Sequence, residues 1–221
     1  MTTPFIRNHQ YNLIKKLVGQ LQHACNTVAD RKVIEAVRQN TLMKINEAFP
    51  QATEQQKQML DSVSAMQRTE QFQAYLQELE PYVESFVQAT DQQVKKLFPK
   101  VKKLKTPDLA AIDLRKITYL GWTDIASSRM YLVYELGDKL VGVEGRFTPT
   151  NKKSVCFVCN RHEEVALFTA LTKSKPANAS ADYYKAIGNY LCASSEACNR
   201  NITDTAALER FVRDIVGEDK Y

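Results

Sequence analysis

The chain has 221 residues, 44% of them hydrophobic and 25% charged, with a formal net charge of +5. That balance belongs to an ordinary folded protein with room for one large domain or two small ones. No apolar run approaches the roughly 18 residues of a membrane span, and the N-terminal residues lack the apolar stretch of a signal peptide. These exclusions make the cytoplasm the expected compartment, where thiols stay reduced.

Residues 1–98 read as an antiparallel helical bundle. Gly19 is the only glycine before Gly121, and apolar residues recur at helical spacing. Tyr11, Ile14, Leu17, Val18 and Leu21 form one stripe; Val33, Ile34, Val37 and Ile45 form a second that stops near Phe49-Pro50. Thr53-Glu-Gln-Gln56 and Thr90-Asp-Gln-Gln93 have the form of capping boxes, each opening a further helix. Phe72, Leu76 and Leu79 extend the helix opened at Thr53 or follow a break in it, and Pro81 marks a boundary. The many glutamines between Gln51 and Gln93 fall on faces expected to be exposed. Lone Cys25 reads as a small packing residue.

The charge is local. Residues 91–116 carry eight basic and three acidic side chains, which accounts for the whole excess. Prolines 99 and 107 bracket Lys100, Lys102, Lys103 and Lys105 and break helices on both sides. A linker is therefore expected over 99–107, with a second, mixed α/β domain over 108–221. A solvated linker face and attraction to RNA or an acidic protein are both open readings of these lysines.

Beyond the linker the texture is that of strands. Ile117–Leu120, Met130–Leu136 and Leu140–Phe147 are β-branched or aromatic, and Gly137-Asp138 between the last two signals a hairpin. Trp122–Arg129 is expected to be a short helix or turn. Glu164–Thr172 and Ile187–Cys192 read as further strands, joined by a polar loop over 173–182. A terminal helix covers Thr203–Val216, capped at Thr203 or Asp204.

Four of the five cysteines follow the pattern C-x2-C-x32-C-x5-C: Cys156, Cys159, Cys192 and Cys198. A C-x-x-C turn aims two sulfurs at one point, and the turn Leu191–Asn199 would supply the second pair. A redox pair or disulfides are the other meanings of such spacing. A four-cysteine zinc site fits it best, with one structural Zn²⁺ per chain and no coordination position left for water. His162 is the alternative ligand. Knuckle, hairpin, second cysteine pair and helix, in that order, form the layout of a treble-clef zinc finger over 154–216. No phosphate loop, dinucleotide fingerprint, nucleophile elbow or HExxH motif occurs, so no enzyme is expected.

His9-Gln-Tyr-Asn12, Phe98–Lys103, Gly121-Trp122 with Ala126-Ser127 and Arg129, and Cys156–Cys159 followed by Tyr190-Leu-Cys192 and Cys198-Asn199 together resemble the FusB-type elongation factor G-binding proteins. These are fusidic acid resistance proteins, and the likeness runs in order along nearly the whole chain. It implies a non-enzymatic monomer that binds the C-terminal domains of elongation factor G and promotes its release from the ribosome. It also implies that binding maps mainly to the zinc domain. Tyr190 matches the family's aromatic before the third cysteine. Val155 stands where the family has an aromatic before the first cysteine, and Ile187 where it has a lysine. Leu208 stands where the family can carry a terminal-helix aromatic, with Phe211 nearby; core packing around the zinc is the other reading of Val155, Leu208 and Phe211. The rival reading is a ribosome- or RNA-binding zinc protein that uses residues 95–105.

Overall fold

The computed structural model describes residues 3–173, 180 and 184–217. They form two compact units that divide between Glu84 and Ser85.

In the first unit α1 (Asn8–Thr27) and α2 (Arg31–Ala48) are joined by only three residues. Gln10 at the start of α1 donates to the Ala48 carbonyl at the end of α2, at 2.7 Å, so the two helices run antiparallel. After α3 (Glu54–Asp61), α4 (Thr69–Leu79) runs antiparallel to α1 as well. Tyr11 donates to the Leu76 carbonyl at 3.0 Å, and Gln22 reaches Thr69 at 3.3 Å. Ile14, Leu17, Val18, Leu21, Ile45, Leu60, Phe72, Tyr75 and Leu79 make the core. Cys25 packs against its edge as a half-buried residue.

Several glutamines have a local task that composition hides. Thr53 and Gln56 exchange backbone-to-side-chain bonds at 2.9 and 3.3 Å and cap α3. Gln71 accepts from both Gln67 N–H and Arg68 N–H at 3.0 Å ahead of α4, and Gln10 accepts from Arg7 N–H at 2.8 Å. Such caps satisfy N–H groups that a helix start would otherwise leave open, each worth about 1 kcal/mol.

The second unit begins upstream of the 99–107 passage at which the sequence suggests a boundary. Its first helix, α5 (Asp91–Leu97), carries the Thr90–Gln93 capping box. Val94, Phe98 and Leu104 bury themselves with Leu120, Tyr131 and Val133. Pro99 follows the end of α5 and Pro107 lies in irregular chain, but the apolar side chains between them still belong to this core. A linker would leave those side chains in water.

The sheet is a five-stranded antiparallel meander in the order β1-β2-β3-β4-β5. Its strands are β1 (Leu120–Asp124), β2 (Arg129–Leu136), β3 (Lys139–Val155), β4 (His162–Leu171) and β5 (Ala186–Cys192). β1 starts where Ile117–Leu120 was expected to end. Leu114–Lys116 is a 3₁₀ turn, and Trp122 therefore sits in a strand. The turn between β1 and β2 covers only Ile125–Ser128, with Ser128 at φ +50. Gly137, at φ +62, takes the first position of the two-residue β2–β3 turn, which suits a glycine. β3 is longer than expected: it continues through a bulge between Pro149 and Lys152 up to the knuckle itself.

Two short helices follow, α6 (Ser195–Asn201) and α7 (Ala206–Val216). The cap residue of α7 is Thr205, one place beyond the expected Asp204, whose carboxylate instead accepts from Ala206 N–H at 2.8 Å. Leu208, Phe211, Val212, Ile215 and Val216 bury one helical stripe in the sheet core. Part of the expected 173–182 loop lies outside the described residues. No helix among the described residues is long and apolar enough to cross a membrane.

Candidate metal centre and partner surface

The β3–β4 hairpin turns at the first cysteine pair. Val155 pairs with His162, and the turn between them is closed by Cys156 N–H to the Arg161 carbonyl and Asn160 N–H to the Cys156 carbonyl, both 2.9 Å. Asn160 takes the left-handed conformation at φ +55, which asparagine tolerates better than most residues. The second pair does not lie in one turn, as the sequence suggested. Cys192 ends β5 and Cys198 lies within α6.

All four sulfurs lie within 4.8 Å of one another, and all four cysteines are buried. Cys156 and Cys198 sulfurs are 3.9 Å apart, Cys159 and Cys192 sulfurs 3.6 Å. Both separations are far beyond the roughly 2.05 Å of a disulfide bond. A tetrahedron with metal–sulfur bonds of about 2.3 Å places its sulfurs about 3.8 Å apart, so the spacing fits a zinc ion. His162 is exposed and outside this group.

The electrostatics favour a cation. Hydrogen bonding from Cys159, then from Cys192 and Cys198, pulls the Cys156 thiol far down. Bonding to Cys156 pushes Cys192 and Cys198 far up. Four thiolates in one buried pocket oppose one another, and a bound dication removes the conflict. Tyr119 adds a second sign. Its hydroxyl is buried without an oxygen or nitrogen partner, and burial, followed by the neighbouring Cys198, raises it well above the ordinary phenol range. The Cys198 sulfur is the partner within reach of this hydroxyl, and it would accept best as a metal-bound thiolate.

Sequence reasoning missed the residue that holds α6 in place. Buried Asn199 accepts from Thr118 N–H at 2.7 Å and Tyr119 N–H at 3.2 Å, and donates to the Tyr119 carbonyl at 2.9 Å. Ser195 Oγ donates to the Gly121 carbonyl at 2.7 Å. These bonds fix Cys198 relative to the start of β1. An asparagine directly after a cysteine gave no warning of this in the sequence.

The five expected partner residues separate. Tyr190 on edge strand β5 is 48% exposed, and Leu167 beside it on β4 is 37% exposed. Leu167 was not foreseen. Its signal is an apolar residue on the face of β4 that should be polar. Val155 is 53% exposed, but it pairs with His162, an alternate position of β4, so it points to the opposite face of the sheet from Tyr190. Ile187 alternates to that opposite face as well and is half-buried against the core. Leu208 and Phe211 are 0% and 4% exposed, and Phe211 packs its ring on Phe157 and Phe168 at 5.1 and 5.8 Å. Their place on the buried stripe of α7 is that of core residues, the second of their two readings, and not of residues that meet a partner.

Residues 5–87 match the family model described as elongation factor G-binding protein, N-terminal, and residues 83–215 the model described as FBP C-terminal treble-clef zinc-finger. The solved structure of the fusidic acid resistance protein FusC is similar at 30% identity and a TM-score of 0.78, covering 98% of this chain and 99% of that one. Among curated proteins no match is found.

Proposed function

The chain belongs to the elongation factor G-binding protein family, and from that premise we propose that it binds elongation factor G and promotes its departure from the ribosome without chemistry of its own. The observation that carries this reading is the likeness to FusC, which extends over both units rather than over the zinc finger alone. Binding of this kind shifts a population. The protein frees the factor only if it holds the dissociating state more tightly than the ribosome-bound one. The C-terminal domains of the factor are the contact we assign, and the cytoplasm is the compartment in which the two meet.

In the same reading Cys156, Cys159, Cys192 and Cys198 hold one Zn²⁺. The ion supplies a structural crosslink that ties α6 to the β3–β4 hairpin and the end of β5, which already share ladder hydrogen bonds. Tyr190, with Leu167 beside it, is the contact residue we favour. A half-exposed tyrosine on a rigid strand offers a large surface with little entropy to lose.

The test is calorimetric titration of the protein into purified elongation factor G, with a metal assay on the same sample. One-to-one binding with one zinc per chain is the expected result. A zinc-loaded protein that does not bind the factor from its own organism overturns the proposal.

A further inference from the structure

The lysines between Asp91 and Asp108 are a strongly charged feature that the reading above leaves unused. Six lysines and no acid occur between those two aspartates. Lys95 is paired with Asp91, and Lys105 has Asp124 within electrostatic reach. Lys96, Lys100, Lys102 and Lys103 are exposed and, among the described residues, form no ion pair.

The backbone beneath them is held firmly. Phe98 and Leu104 are buried, and Val101 is half-buried between them. Phe98 meets the rings of Trp122 and Tyr131 edge-on at 5.8 and 5.2 Å. Val101 N–H donates to the Phe98 carbonyl at 3.0 Å, and Trp122 Nε1–H donates to the Lys105 carbonyl at 2.9 Å. Positions 98, 101 and 104 thus point inward, which leaves 100, 102 and 103 outward. A solvated linker needs no such anchoring.

We infer that this anchored loop is a phosphate-binding surface for RNA. Two observations favour RNA over an acidic protein. Lysine is depleted at protein interfaces, which are organised around exposed aromatic, methionine or arginine anchors. The loop exposes none of these: its apolar side chains are turned into the core. Closely spaced point charges on a rigid backbone suit a polyphosphate chain, whose contacts carry no demand for a fork-shaped donor. The inference is independent of elongation factor binding, since it uses other residues.

The experiment measures binding of a labelled, unstructured oligouridylate to the zinc-loaded full chain by fluorescence anisotropy over a salt series. A quadruple variant, Lys96→Gln, Lys100→Gln, Lys102→Gln and Lys103→Gln, is measured beside it. All four side chains are exposed, so the variant keeps its fold. The wild-type affinity is expected to fall steeply with salt. The variant's log–log slope should be shallower by about 3, from about 0.7 per phosphate contact on a single strand. Equal slopes for the two proteins, or no wild-type binding at low salt, overturn the inference. Competition by polyglutamate at the same charge concentration, as effective as competition by RNA, also overturns it and points to an acidic protein.

Discussion

The Tyr190 carbonyl accepts a hydrogen bond from Phe157 N–H at 2.9 Å. The tyrosine proposed as the partner contact is therefore tied, through its own backbone, to the middle of the first cysteine turn. The proposed metal site and the proposed contact surface are thus mechanically linked, because the knuckle closes part of the β5 edge on which the ring stands.

Zinc removal should accordingly abolish factor binding even though the four cysteines are buried. Cys156→Ser is expected to lose the metal and loosen the second unit, since apparent zinc-binding energies of about 10–16 kcal/mol in isolated fingers are folding energy. The first unit has its own core and should remain helical. Metal content, calorimetry and far-UV circular dichroism on one preparation check this. A variant that binds the factor normally without zinc would separate the two functions.

Tyr190→Ala should weaken factor binding by about 2 kcal/mol, roughly thirtyfold, and leave zinc content and melting temperature unchanged. Leu208→Ala should behave in the opposite way. It opens a cavity under α7 and costs about 2–5 kcal/mol of stability, while the affinity of the folded fraction stays as it was. Denaturant titration and calorimetry on both variants give the contrast.

Asn199→Ala should cost about 3 kcal/mol, because it leaves the Thr118 and Tyr119 backbone groups buried without partners. The same change frees α6 from the start of β1. Zinc exchange to a chelator should therefore become faster, and a competition time course reads this directly.

Gly142→Ala should destabilise the second unit by about 1–3 kcal/mol. An added Cβ would lie 2.8 Å from the Leu97 Cβ and 2.9 Å from the Phe98 ring, with no flexible chain end to give way. The effect would show in urea unfolding and, if the lysine loop binds RNA, as weaker RNA binding, because Phe98 anchors that loop.

By itself the sequence determined several helix starts and the group of four cysteines. Thr53 and Thr90, each with a glutamine three residues on, mark helix starts, because a side-chain cap answers to spacing alone. Four cysteines as C-x2-C-x32-C-x5-C specify the cluster for a similar reason: few other arrangements use four thiols so spaced. Only the tertiary structure decided where the domains divide and which side chains face out. Pro99 and Pro107 look like a linker, yet Phe98 and Leu104 find their burial against Tyr131, a partner distant in sequence that spacing cannot disclose. In the sequence Tyr190 is the favoured contact residue, and Leu208 and Phe211 read equally well as core or contact. Strand alternation and the β4–β5 register turn Tyr190 outward, and the apolar stripe of α7 turns the other two inward. Register is a property of two strands together, and neither strand's sequence contains it alone.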